Sequence, residues 1–105
     1  KNKQVLLPVK NKYIKHVYHL FVIKVKKRDK LIEFLKKNKI QTNIHYPKIL
    51  SEVPAFKKQN VKNIFLNAKK NSDKILSLPI GEHLSKIKIK KVSELINKFY
   101  NQPSE

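Results

Sequence analysis

Residues 40–47 gather the polar side chains of this chain that are best suited to bind a ligand. Asn43, His45 and Tyr46 lie within four positions of one another, and Pro47 closes the segment. A histidine donates or accepts a hydrogen bond near neutral pH, and a tyrosine hydroxyl can bond to a sugar or phosphate oxygen. The segment therefore predicts a polar cluster that reaches into a site made partly by something else. The alternative is a structural histidine at a sheet edge followed by a Tyr-Pro turn, and spacing alone favours that alternative.

Other arrangements that carry chemistry are missing from the sequence. Gly81 is the only glycine, so a glycine-rich phosphate loop cannot form. Cysteine is absent, seven acidic residues argue against a paired-carboxylate site, and none of the four histidines has a partner at helical metal-binding spacing (His16, His19, His45 and His83). Taken alone, the chain is a poor candidate for an enzyme. The lack of cysteine also fits a cytoplasmic protein without disulfides.

The chain is strongly basic, with 25 lysines and arginines against 7 acidic residues and a formal net charge of +18. Such a charge predicts a polyanionic partner such as nucleic acid. However, every basic residue except Arg28 is a lysine. Lysine, isoleucine and asparagine share A/T-rich codons, so codon bias explains the same profile, and the lysines are spread along the chain. A lysine-rich binding module for nucleic acid or another polyanion is therefore the less favoured alternative.

The elements that must position the polar cluster are predicted from hydrophobic patterning. Residues 16–25 are rich in Val, Ile, Phe and Tyr and are apolar on both faces, which predicts a central strand. Residues 29–38 have apolar side chains at helical spacing, with Asp29 as the N-cap and Asn38 as a left-handed terminator. Residues 40–46 alternate, which predicts a second strand. A helix between two strands predicts a right-handed crossover.

The second half of the chain is predicted to be less regular. Residues 48–60 lack periodicity, residues 62–74 predict a helix, and residues 75–80 predict an edge strand or extended segment. Ser85 is expected to cap a final helix, whose predicted buried face comprises Ile89, Val92, Leu95, Ile96 and Phe99. The predicted fold class is α+β, a small β-α-β-α-β-α sheet-and-helix domain.

We predict one folded domain over residues 16–100. Residues 1–15 are expected to be a linker or the end of a preceding element, and residues 101–105 a frayed tail. No apolar run of about 18 residues is present, so no membrane span is predicted. The first residues also lack the apolar stretch of a signal peptide.

Four segments resemble the C-terminal part of the DegT/DnrJ-type sugar aminotransferases, in the same order and at similar spacing. The first is residues 16–25, HVYHLFVIKV, followed by Arg28 to Leu31. The others are residues 40–47, IQTNIHYP; residues 54–56, PAF; and residues 68–84, which contain ILSLPIGEHLS. The resemblance covers about residues 5–100.

The resemblance implies the small C-terminal domain of a fold-type I aminotransferase, with residues 1–15 leading from a large domain. The whole enzyme would use pyridoxal phosphate (PLP) to move an amino group from glutamate onto a keto-sugar nucleotide, for surface-glycan or antibiotic sugars. The PLP lysine and the other cofactor contacts lie in the large domain of the family, and none maps onto this sequence. The chain alone is therefore expected to be inactive and to hold no cofactor. Its implied partner is the large catalytic domain or the second subunit of a homodimer.

The resemblance also implies which residues approach the substrate. His45, Tyr46 and Pro47 match the family's His-Tyr-Pro segment, which lies on the substrate side of the active site, and Asn43 precedes it. Ser51 stands where many members carry a second histidine, and Ile49 replaces a proline. We therefore expect Asn43, His45, Tyr46 and Ser51 to be proximal to the substrate, with contacts at Ser51 that differ from those of other members.

Overall fold

The computed structural model describes residues 3–57 and 65–102. Its elements in chain order are strand β1 (Val5–Leu6), strand β2 (Phe21–Val25), helix α1 (Arg28–Lys37), a 3-10 helix (Leu50–Glu52), helix α2 (Pro54–Lys57), helix α3 (Leu66–Ser72), strand β3 (Ile75–Leu78) and helix α4 (Lys86–Asn101). The fold class is α+β, as the sequence predicts.

Strand β2 lies at the centre of the sheet. Within the described ranges it pairs antiparallel with β1, where Val5 is opposite Val25, and with β3, where Phe21 is opposite Leu78. The prediction of a central strand is confirmed for these residues. Strand β3 occupies an edge of this sheet, as predicted from residues 75–80.

The core forms where one face of the sheet meets α1 and α4. Alternate residues of β2 and two leucines one turn apart on α1 point into it, and its buried members are Ile23, Val25, Leu31, Leu35, Leu76 and Ile96. Burying each such side chain stabilises the fold by about 1.5–3 kcal/mol. The rings of Phe34 and Phe99 join α1 to α4, with centroids 5.4 Å apart.

Helix α4 is also fixed near its C-terminal end. The Tyr100 hydroxyl donates a hydrogen bond to the carbonyl oxygen of Lys26, in the turn between β2 and α1. Burial raises the pKa of Tyr100 to about 12, because the charged phenolate is disfavoured away from water. This contact ties the last helix to the start of the first.

The strand predicted over residues 16–25 is shorter in the structure, where β2 begins at Phe21 and not at residue 16. Tyr18 has a φ of 50°, in the left-handed region that interrupts an extended chain. Its backbone N–H donates to Nδ1 of His16 at 2.8 Å, and their rings stack. This local bond uses a donor that strand pairing would need, so residues 16–20 stay outside the sheet.

The strand predicted over residues 40–46 and the right-handed crossover are both wrong. Only Asn43 pairs there, through an isolated antiparallel bridge to Ser77. The side-chain oxygen of Asn43 accepts the backbone N–H of Ile44 at 2.8 Å, which is a local substitute for a strand bond. After α1 the next strand in the described chain is β3, and it runs antiparallel to β2.

The ends of α1 differ from the prediction, by two residues at the N-cap and by one at the left-handed terminator. The N-cap is Lys27, with no side-chain cap, and Asp29 lies in the first turn, where its charge favours the helix dipole. At the C-terminus, the left-handed residue is Lys39, with a φ of 60°, and not Asn38. The Ile40 N–H bonds to the Leu35 carbonyl and the Lys39 N–H to that of Lys36, which is a Schellman motif. The Asn38 side chain caps by donating to the Phe34 carbonyl.

Three further observations concern the segments around the core. Val5–Leu6 form a strand within residues 1–15, the stretch predicted to be a linker or the end of a preceding element. Pro54–Lys57 are helical within the stretch predicted to be irregular. Of the helix predicted over 62–74, residues 62–64 lie outside the described residues and Leu66–Ser72 are helical.

Helix α4 largely follows its prediction. The Ser85 hydroxyl caps it by accepting from the Lys88 N–H at 3.4 Å. Val92, Leu95, Ile96 and Phe99 face the core, whereas Ile89 is exposed, so its predicted burial is wrong. Of the predicted frayed tail, Asn101 ends the helix and residues 103–105 lie outside the described residues. Among the described residues, no helix is long and apolar enough to span a bilayer.

Candidate functional site

The polar segment after α1 is held against strand β3. Asn43 and Ser77 exchange two backbone hydrogen bonds, from Asn43 N–H to the Ser77 carbonyl at 3.1 Å and from Ser77 N–H to the Asn43 carbonyl at 2.8 Å. This pair fixes the segment in register with β3. The residues that follow, His45 and Tyr46, are joined by a cis peptide bond.

The His45 ring packs between two polar partners. Its Nδ1 lies 2.8 Å from the hydroxyl oxygen of Ser77, and its Nε2 lies 3.4 Å from the amide nitrogen of Asn43. Ser77 is buried, whereas His45 is half-buried and Asn43 is exposed. The ring is therefore anchored on its inner side and accessible on its outer side.

Tyr46 and Ser51 line a groove beside this cluster. Tyr46 is 73% exposed, and its ring meets that of His45 edge to face at 5.4 Å. The groove has a volume of about 720 Å³, and its lining comes from the loop after Tyr46, the 3-10 helix, α3 and the start of β3: Tyr46, Pro47, Lys48, Ile49, Leu50, Ser51, Val53, Phe65, Ala68, Asn71, Ser72 and Ile75. The four predicted site residues thus divide into a pair held by Ser77 and a pair in the groove wall.

Two residues that sequence analysis did not select hold this arrangement together. Ser77 holds His45, and Arg28 donates from Nη1 to the carbonyl of Ser72 at 2.6 Å, at the end of α3. A cation at this end of a helix also complements its dipole. Ser77 is a polar residue inside the apolar run ILSLPI and Arg28 is the one arginine of the sequence. Those are the signals that could have found them.

An ion pair also joins the two sides of the groove. Lys69 Nζ on α3 lies 3.6 Å from Glu52 Oε1 on the 3-10 helix. Both side chains are substantially exposed, so the pair contributes at most about 1 kcal/mol. It links the walls without closing the groove.

Among the described residues that line the groove, Lys48 is the one with an ionisable amine and none carries a carboxylate. Within the described ranges there is also no cluster of three histidine or acidic residues that could hold a metal ion. The site can instead supply hydrogen bonds from His45 and Tyr46, beside an apolar wall.

Comparisons with known proteins agree with this fold. A model of the DegT/DnrJ/EryC1/StrS aminotransferase family matches residues 1–97. The chain is 31% identical over 99 residues to dTDP-3-amino-3,6-dideoxy-alpha-D-galactopyranose transaminase of Aneurinibacillus thermoaerophilus, which is 94% of this chain and 27% of that protein. It is 37% identical over 86 residues to the Pleiotropic regulatory protein of Geobacillus stearothermophilus, covering 81% of this chain and 23% of that protein.

Solved aminotransferase structures have the same fold as this chain. DesV of S. venezuelae, solved in complex with a ketimine intermediate, superposes with a TM-score of 0.87 at 27% identity, over 96% of this chain and 28% of that chain. An aminotransferase from Brucella abortus superposes with a TM-score of 0.85 at 24% identity, which supports the fold alone. The chain spans about a quarter of the length of the relatives that it matches. Its sequence and fold place it in one family: the chain belongs to the DegT/DnrJ/EryC1/StrS aminotransferases.

Proposed function

We propose that this chain acts as the C-terminal small domain of a PLP-dependent aminotransferase that transfers an amino group from glutamate to a keto-sugar nucleotide. The proposal is supported chiefly by the match of nearly the whole chain to about a quarter of a larger aminotransferase, with a TM-score of 0.87. A large domain, on the same chain or on a second subunit of a homodimer, would supply the cofactor site.

The described site supports a role in binding substrate. The rings of His45 and Tyr46 lie edge to face, Tyr46 is exposed, and the described lining of the adjacent groove has one charged residue, Lys48. A neutral, hydroxyl-rich sugar suits such a surface, because each hydroxyl both donates and accepts hydrogen bonds. Under this proposal His45 and Tyr46 contact the sugar, while Asn43 and Ser51 border it, and the product serves glycan sugar synthesis in the cytoplasm.

A complementation assay tests the proposal. The Aneurinibacillus relative is expressed without the segment that matches this chain, and it is mixed with the 105-residue chain, PLP, glutamate and a panel of keto-sugar nucleotides. Formation of 2-oxoglutarate is followed with the mixture and with each component alone. We expect activity in the mixture only. PLP absorbance by itself is no criterion, since the many lysines of the chain can form imines with the aldehyde.

Variants identify the contribution of the site. His45→Ala and Tyr46→Phe each remove one hydrogen bond of about 1.5 kcal/mol, so we expect about tenfold less activity in the mixture. Ser93→Ala, an exposed change on α4, is the matched control and should leave activity unchanged. A folded chain that restores activity with no large domain would contradict the proposal. So would a folded chain that restores none with it, and salt-sensitive binding to nucleic acid would then favour the polyanion alternative.

A further inference from the structure

The two ring nitrogens of His45 face partners of different chemistry. Nδ1 faces the Ser77 hydroxyl at 2.8 Å, and a hydroxyl can donate or accept. Nε2 faces the side-chain amide nitrogen of Asn43 at 3.4 Å, and an amide nitrogen only donates. Because the Ser77 hydroxyl suits either tautomer, the orientation of the Asn43 amide shows which ring nitrogen carries the proton.

That orientation is fixed by a second bond. The Asn43 side-chain oxygen accepts the backbone N–H of Ile44 at 2.8 Å. Rotating the amide by 180° would place a second donor against this N–H, so the oxygen must face Ile44 and the NH₂ group must face His45. Nε2 of the neutral ring therefore accepts, and its proton resides on Nδ1.

We infer that Ser77 is a positioning residue that, together with the Asn43 amide, holds His45 in the Nδ1–H tautomer, so that the ring presents Nε2 as a hydrogen-bond acceptor for a hydroxyl or N–H group of a ligand. The Nδ1–H donates to the Ser77 oxygen. Ser77 is suited to this role because it is buried and because both its backbone N–H and its carbonyl form hydrogen bonds with the backbone of Asn43.

Nε2 is the accessible side of this arrangement. Asn43 is exposed and its contact with Nε2 is long, so a ligand hydroxyl can take the place of the amide at little cost. The ligand class of a hydroxyl donor matches a sugar, and in that respect the inference rests on the proposed function. The tautomer itself does not depend on it.

Long-range ¹H–¹⁵N NMR correlation of the ¹⁵N-labelled chain at alkaline pH tests the inference, since it distinguishes a protonated from an unprotonated ring nitrogen. The chain contains its own reference: His16 Nδ1 accepts the Tyr18 N–H at 2.8 Å, so His16 must carry its proton on Nε2. We expect opposite tautomers for His45 and His16 in one spectrum. The Nε2–H form at His45 would overturn the inference.

Variants separate the role of Ser77 from the fold. Ser77→Ala removes the acceptor and should move His45 towards the Nε2–H tautomer that free histidine favours. Asn43→Asp replaces the donor by a carboxylate at an exposed position and should produce the same change by a different route. Ser93→Ala, whose hydroxyl bonds to the Lys90 carbonyl on α4, should leave His45 unchanged. A His45 that keeps Nδ1–H in folded Ser77→Ala would refute the positioning role.

The same variants in the complementation assay distinguish this inference from the proposed function. If the mixture is active, Ser77→Ala should raise the KM for the sugar nucleotide more than it lowers kcat; an unchanged KM would overturn the role of Ser77 while the proposed function stands. If the mixture is inactive, the proposed function fails, and the NMR result alone decides the tautomer and the role of Ser77.

Discussion

Removal of the Arg28 side chain is expected to destabilise α3 and, with it, one wall of the groove. Arg28 Nη1 donates to the Ser72 carbonyl at 2.6 Å, across 44 positions of sequence, and its side chain is only 13% exposed. A hydrogen bond from a charged group contributes about 1.5–3 kcal/mol, and a cation at a helix C-terminus adds about 0.3–1 kcal/mol. We therefore expect Arg28→Ala to lower the free energy of unfolding by about 2–4 kcal/mol.

The neighbouring charges provide the controls for Arg28→Ala. Arg28 also pairs with Asp29 at 3.0 Å, but the Asp29 side chain is 82% exposed, so its ion pair contributes at most about 1 kcal/mol. Asp29→Ala removes this pair and a favourable charge in the first turn of α1, together at most about 2 kcal/mol, but it leaves the bond from Arg28 to Ser72 intact and should not lower amide protection in α3. Lys30→Ala removes a positive charge from the exposed side of the same helix and should change stability by no more than about 0.5 kcal/mol.

Urea unfolding gives the global free energy, and hydrogen exchange shows where it is lost. Because the bond ends on α3, amide protection in α3 should fall further than in α1 in the Arg28→Ala protein. An Arg28→Ala protein within about 0.5 kcal/mol of the parent, with unchanged exchange in α3, would refute the argument that this bond holds the helix.

Three further changes test other parts of the structure. Burial raises the pKa of Tyr100 from an ordinary value of 10.0 to about 12, so folding favours the neutral hydroxyl. The contribution of the neutral hydroxyl to the free energy of unfolding is complete below pH 10.0 and is lost as the pH rises towards 12. The difference in unfolding free energy between the parent and Tyr100→Phe should therefore shrink over that window, and a constant difference would contradict this. Leu35→Ala should cost about 2–5 kcal/mol in urea unfolding because the leucine is fully buried, whereas Ile87→Ala, at a position 81% exposed, should stay within about 0.5 kcal/mol. Gly81→Ala should destabilise by about 1–3 kcal/mol, since Gly81 has a φ of +157° and an added Cβ would lie 2.5 Å from the His83 ring. His83→Ala in the same chain should recover only the part due to that ring; full recovery would show that backbone strain is absent.

Sequence patterning predicted the parts of the fold whose information is local. The apolar spacing of α1 and α4 and the Ser85 cap depend on residues three or four positions apart, and the structure has both helices. Val5–Leu6 could not be predicted in this way, because a two-residue strand has no periodicity and pairs only with distant β2. The alternation in residues 40–46 predicted a strand that does not form. The Asn43 side chain accepts the Ile44 N–H, so Asn43 is the one residue of this segment that pairs with β3.

The candidate site shows the same limit. Spacing brought Asn43, His45 and Tyr46 together because they are neighbours in sequence, and the structure places them side by side. Spacing could not show which partner anchors the histidine, since Ser77 lies 32 positions away. It also could not show that Tyr46 turns into a groove whose other wall is α3.

Both walls of the groove depend on one short stretch of the chain, residues 72–77. The Ser72 carbonyl accepts a hydrogen bond from Arg28, which fixes α3. Ser77 bonds to Asn43 through its backbone and to His45 through its hydroxyl, which fixes the opposite side. Between them, the Lys74 carbonyl accepts the N–H of Val25 at 2.8 Å, which joins the stretch to the central strand. Because β3 is part of the core through Leu76, the stretch cannot shift without disturbing buried side chains. The position of His45 relative to α3 is therefore set by the core of the domain, and not by the loop that carries the histidine.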